Sequence, residues 1–210
     1  MSKQAGPVKD YARKIDEIAR FLAEHPWEPQ HSEQVRTLSM SIFDQLGRAH
    51  GCGPRERFLL EAAAMLHDIG FAAGAARHHK NSRDMIAAHP FTAISPEDAS
   101  LIAQIARYHR KAHPKLTHAP FRDLDNPGRE VVLKMSAILR IADGLDRSHR
   151  SSARKVAVAE RGRRFVFYVQ QPSLSPEDLG GAERKKALFE EVFGKKAVFT
   201  ADSIPASPNS

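Results

Sequence analysis

Apolar residues recur at helical spacing through the first two thirds of the chain and switch to strict alternation near its end. Val8, Tyr11, Ile15, Ile18 and Leu22 mark one face of a helix over residues 8–24. Pro26 and Pro29 break the chain after it. Val35, Leu38, Ile42, Phe43 and Leu46 predict a second helix over residues 31–48, ending among Gly47, Gly51, Gly53 and Pro54. Phe58, Leu59, Leu60, Ala63 and Leu66 predict a third over 55–67, closed by Gly70. Residues 71–80 read as a loop, with Asn81 or Ser82 capping a short helix through Ala88. Ser95-Pro96-Glu97-Asp98 is a strong helix start for a segment that carries Leu101, Ile102, Ile105 and Ala106 to His109. Residues 110–127 read as a long loop, and the most apolar helix follows, from Arg129 to Asp143 or Leu145.

After residue 150 the period changes. Residues 155–159 and 164–170 alternate around Gly162 and predict a β-hairpin. GGAERKKALFEEVF predicts one more helix, with its Lys/Arg run as a solvated face, and KKAVFTA one more strand. The expected fold is mainly α: a helical domain over 1–150, a small α+β appendage of hairpin, helix and strand over 151–202, and a disordered tail over 203–210.

Several polar residues interrupt the apolar stripes. His31 shares a helix face with Val35, Leu38 and Ile42; His67 continues Leu60 and Ala63; His109 continues Ile102 and Ile105; Asp143 continues Val132 and Leu139. Four predicted helices therefore each turn a metal-capable side chain toward the core, with Asp68 beside His67. Carboxylates are costly to bury alone and less so when they hold a cation or an imidazole. A mixed set of imidazole and carboxylate donors suits Mn, Fe, Zn, Co or Mg. A hydrogen-bonded core histidine is the simpler alternative for any one position. Asp146, a turn after Asp143, is open to three roles: ligand, partner of a ligating histidine, or partner of Arg150.

Composition narrows the class. A length of 210 residues, 41% hydrophobic and 27% charged, suits a globular chain with its own core. No apolar run approaches a membrane span, and MSKQAGPVKDYARKIDE has no signal-peptide core, so cytoplasm is the expected compartment. The single cysteine, Cys52, excludes an internal disulfide and a cysteine-rich zinc site. A net charge of +7 favours a small phosphorylated or polyanionic ligand. Nucleic acid is not favoured, because charge is its sole support. Homodimerisation through the first helix or the hairpin edge fits the pattern. Trp27, between two prolines, is expected to fill the gap between the first two helices.

HSEQVRTLSMSIFDQLGRAHG, LLEAAAMLHDIG, IARYHRKAHP, LKMSAILRIADGLDRSH and the late ALFEEVFGKKAVF together resemble the C-terminal HD region of the exopolyphosphatase / guanosine pentaphosphate phosphohydrolase family, over residues 30–200. The resemblance implies an HD-type helical bundle in which His31, His67, Asp68 and Asp143 hold a divalent ion (Mn, Fe, Zn, Co, Ni or Mg). His79 and His109 stand where related proteins hold a second ion, with His78 as the alternative to His79. Asn81 stands where the family often has a further histidine. The family's N-terminal actin-like domain has no counterpart here, so exopolyphosphatase activity itself is not expected to carry over.

Two functions follow. One is a metal-dependent phosphohydrolase acting on a nucleotide or other small phosphate ester, with Asp68 as metal bridge and Lys80 and Arg110 as catalytic cations. Arg107, Lys111, Arg140, Arg147 and Arg150 are further candidates to neutralise phosphoryl charge. The other is a non-catalytic regulatory module that binds polyphosphate or a guanosine nucleotide.

Overall fold

The computed structural model describes residues 7–25, 27–170 and 176–202. The expected tail over 203–210 and the break at Pro26 lie outside them. Eight helices come first: α1 (Pro7–Glu24), α2 (Pro29–Gln45), α3 (Gly47–His50), α4 (Pro54–Leu66), α5 (His78–Ala88), α6 (Pro96–Arg107), α7 (Ala119–Arg122) and α8 (Asn126–Leu145). Then follow β1 (Lys155–Arg161), β2 (Arg164–Gln170), α9 (Pro176–Lys185), α10 (Ala187–Phe193) and β3 (Lys196–Thr200). The fold is mainly α with a small C-terminal sheet. No described helix is long and apolar enough to cross a membrane.

Local chemistry sets the helix ends. Ser95 accepts from the Asp98 amide at 3.1 Å and starts α6. Asp125 accepts from Gly128 N at 2.8 Å, which starts α8 three residues before the apolar pattern does. Four expectations need correction, the first being that the expected loop over 110–127 holds the short helix α7. The helix after Gly70 begins at His78 rather than at Asn81 or Ser82, because those two side chains have other partners. Asn81 donates to the Gly70 and Gly74 carbonyls, and Ser82 Oγ donates to His67 O at 2.6 Å while accepting from Gly70 N. The late helix is two, α9 and α10, divided at Lys186. Trp27 does not fill an interhelical gap; its ring is 36% exposed and stacks on Phe71 at 4.4 Å.

One buried apolar cluster runs from Ile18 of α1 through α2, α4, α6 and α8 to Phe165, Phe167, Phe189 and Ala197 of the C-terminal part. β1 pairs antiparallel with β2 across the Gly162 turn, and β2 pairs parallel with β3. Parallel pairing requires a crossover, which α9 and α10 supply. The Gln45 amide at the end of α2 covers the outer edge of β1, donating to Val156 O at 3.0 Å and accepting from Val158 N at 2.8 Å. It thereby satisfies backbone groups that an edge strand leaves open.

The contact that matters for the site is between α8 and α9. A Cβ on Gly144 would lie 2.7 Å from Ala182 Cα, and one on Gly181 would overlap the Gly144 carbonyl oxygen. The two helices therefore meet backbone to backbone, and the next turn of α9 brings Lys185 to Asp143. Gly181→Val is expected to push α9 off α8 and cost about 1–3 kcal/mol, read as a lower urea midpoint. An unchanged midpoint would refute this contact as a determinant of the fold.

Candidate metal centre

Six side chains from five separate stretches converge at one end of the helical bundle. His31 lies in the first turn of α2. His67 and Asp68 follow α4 where the chain tightens into a 3-10 turn at Ile69–Ala73. His78 is the first residue of α5, His109 lies just past α6, and Asp143 is near the end of α8. All six are buried. Gly70 makes the meeting of the 3-10 turn and α5 possible, since a Cβ there would overlap the His78 carbonyl and the Ser82 nitrogen.

Asp68 divides the group into two. Its Oδ2 lies 3.5 Å from His67 Nε2 and 3.8 Å from His31 Nε2. Its Oδ1 lies 3.4 Å from His78 Nε2 and 3.5 Å from His109 Nε2. Donor atoms of His31, His67 and Asp143 all fall within 4.8 Å of one another, and so do those of Asp68, His78 and His109.

The four imidazoles are oriented alike. Nδ1 of His67, His78 and His109 each bonds the backbone carbonyl three residues earlier, at 2.8 to 2.9 Å. His31 Nδ1 bonds Asp146 Oδ2 at 2.8 Å, and Asp146 Oδ1 accepts from Ser151 N. For the three that donate to carbonyls, donating from Nδ1 leaves the Nε2 lone pair facing the centre, the tautomer that a metal ligand requires. Burial holds His78 below its ordinary value and His109 well below, so both imidazoles stay neutral. Burial alone would lower His31 too, but hydrogen bonds to Asp143 and Asp146 outweigh it and push it up to about 10. Asp68 Oδ1 is buried with no hydrogen-bond partner. A buried carboxylate oxygen facing only imidazole nitrogens is costly unless a cation joins it. The donor set fits a divalent metal, and these buried groups can hold one.

The chain's own cations sit at both ends of the cluster. The Lys185 ammonium pairs with Asp143 Oδ2 and is half-buried there. Burial would raise Asp143, but Lys185 and His31 keep it well below the usual carboxylate range. Arg110 Nη1 approaches His78 Nε2 at 3.1 Å. A column of rings, Trp27 on Phe71, Phe71 on His78 and His78 on His109, runs from the surface into the cluster.

The profile described as Ppx/GppA phosphatase, domain III, matches residues 15–183. The chain belongs to this family. No curated protein matches it.

Of the residues expected from the sequence of this Ppx/GppA domain, His31, His67, Asp68, His109 and Asp143 come together, and His79 does not. His78 takes the place given to His79. Starting α5 at residue 78 sets the two rings nearly a third of a turn apart, and only the first faces Asp68. Lys80 is half-buried on α5 and has no hydrogen bond or ion pair with the six among the described residues. Arg140 is buried and donates to the Tyr108 and Lys111 carbonyls, holding the chain after α6. Lys111, Arg147 and Arg150 are exposed. Lys185 was expected on a solvated face and is instead half-buried against Asp143. The signal for it was the glycine pair Gly180-Gly181 one turn earlier, which lets α9 approach α8. Asp146 takes the second of its three possible roles, partner of a histidine. Asp146→Asn is expected to weaken metal affinity about 10–100-fold, measured by competition with a chromophoric chelator. Affinity unchanged within error would remove Asp146 from the centre.

Proposed function

We propose that the chain is a metal-dependent phosphohydrolase acting on a nucleotide or other small phosphate ester. The observation that carries this reading is Asp68, whose two oxygens face two separate histidine pairs. His31, His67 and Asp143 would hold one ion, His78 and His109 a second, and Asp68 both. Ions so held polarise a phosphoryl oxygen and lower the pKa of water near neutrality.

The remaining work falls to the protein. Nδ1 hydrogen bonds fix the four imidazoles before substrate arrives, so no reorganisation is needed on binding. Arg110, beside His78, is the cation we place on the phosphoryl group, because its guanidinium suits bidentate phosphate contact. Lys80 is proposed only as a more distant source of positive potential on the same helix. Lys185 neutralises Asp143 at one end of the site.

A second reading has its own support. Lys185 already pairs with Asp143, and Arg110 already meets His78, so part of the cluster is charge-compensated without an ion. On that reading the domain is a regulatory module that binds a polyanion. Elemental mass spectrometry on untagged protein purified without chelator separates the two. One or two equivalents of Mn, Fe, Zn, Co or Ni per chain, absent from His67→Ala/Asp68→Ala, are expected. Metal loading should also change the fluorescence of Trp27, the single tryptophan, through Phe71 and His78. Hydrolysis of nucleoside phosphates should fall to background in Asp68→Ala. Turnover that survives Asp68→Ala, or protein that takes up no ion after reconstitution, would leave the regulatory reading.

A further inference from the structure

Beside the metal centre lie two further buried side chains, each with a polar atom that nothing among the described residues satisfies. Arg107, the last residue of α6, is 7% exposed, and its Nη1 has no hydrogen-bond partner. Among the described residues no carboxylate pairs with it; its guanidinium lies over the Tyr108 ring at 5.2 Å. Other arginines differ. Arg36, Arg55 and Arg57 each hold carboxylates, and the equally buried Arg140 holds two carbonyls. His79, in the first turn of α5, is 6% exposed, and its Nδ1 is also without a partner. Arg107, two residues before His109, whose ring meets that of His79, is the charge with the largest effect on His79 after burial, and Arg77 and Arg83 add to the positive potential around Arg107. Asp84, the acid in this neighbourhood, is engaged by Arg83 at 2.5 Å.

A buried guanidinium with no acceptor is among the costliest groups a protein can keep. Water-filled or not, such a site is completed most simply by an oxyanion, which offers several acceptors and a compensating charge. We propose that Arg107 and His79 form a binding site for a phosphate-type oxyanion next to the metal centre. The adjacency is direct: the His79 ring lies edge-on to His78 and His109, with centroids 5.8 and 6.4 Å away. The anion is then either free phosphate or the second phosphate of a substrate whose first lies at the metals. The latter assignment rests on the proposed phosphohydrolase function; the site itself does not.

Titration calorimetry and thermal melts with inorganic phosphate and pyrophosphate test this on the chelator-stripped full chain. Phosphate should bind wild type in the millimolar range or better and raise its Tm. Arg107→Met should weaken binding at least about tenfold and, without ligand, melt no lower than wild type, because an unpaired buried charge has been removed. Arg107→Lys should recover part of the affinity. If Arg107→Met does not fold, His79→Gln must show the weakened binding. Wild type that binds neither anion, or variants that bind as wild type does, would overturn the site. Metal-loaded protein distinguishes the two sources. Pyrophosphate favoured over phosphate, with the preference lost in Arg107→Met, identifies a second substrate phosphate; equal affinity identifies free phosphate. Wild type that takes up no ion on reconstitution yet still binds phosphate through Arg107 would sink the phosphohydrolase reading and leave this site standing.

Discussion

The Asp68 carboxylate is the point on which the rest of this structure depends. It is buried, one oxygen is unpartnered, and both oxygens face imidazole nitrogens at 3.4 to 3.8 Å. To place it there, α4 must end at Leu66 and the chain must tighten at once into the 3-10 turn over Ile69–Ala73. That turn is pinned by Ser82 from α5 and packed against it through the bare Gly70 backbone. The same contacts set where α5 begins, and hence that His78 rather than His79 meets the carboxylate. Position of the site and position of the helices are thus one constraint.

The C-terminal appendage is part of this arrangement rather than an addition to it. Close packing at Gly144 and Gly181 allows α9 to deliver Lys185 to Asp143, and the crossover through α9 and α10 makes the parallel β2–β3 pair possible. Gln45 of α2 closes the β1 edge from the other side. The apolar cluster is continuous through both parts, so an ordinary core supports a polar centre whose imidazoles are oriented by a few directed hydrogen bonds.

Much of this was legible in the residue pattern. Helical periodicity located the principal helices, because each buries one continuous stripe, and alternation around Gly162 located the hairpin. His31, His67, Asp68, His109 and Asp143 stood out as polar residues on apolar faces. What periodicity does not carry is the phase of a helix that begins in a turn. The choice between His78 and His79 depended on long-range bonds from Asn81 and Ser82, which composition alone assigned to a cap. Lys185 was hidden for a related reason: a lysine in a basic run looks solvated until the glycine one turn before it is seen to bring two helices into backbone contact. Arg107 was legible only as one cation among several, since the lack of an acceptor is a property of the packed state.

In the proposed function one carboxylate joins two metal positions. Electron paramagnetic resonance of the protein loaded with two equivalents of Mn²⁺ tests it most directly. A carboxylate shared between the two sites predicts an exchange-coupled spectrum that collapses to isolated six-line Mn²⁺ signals in Asp68→Asn. Saturation at a single uncoupled ion, or two ions whose spectrum Asp68→Asn leaves unchanged, would contradict it.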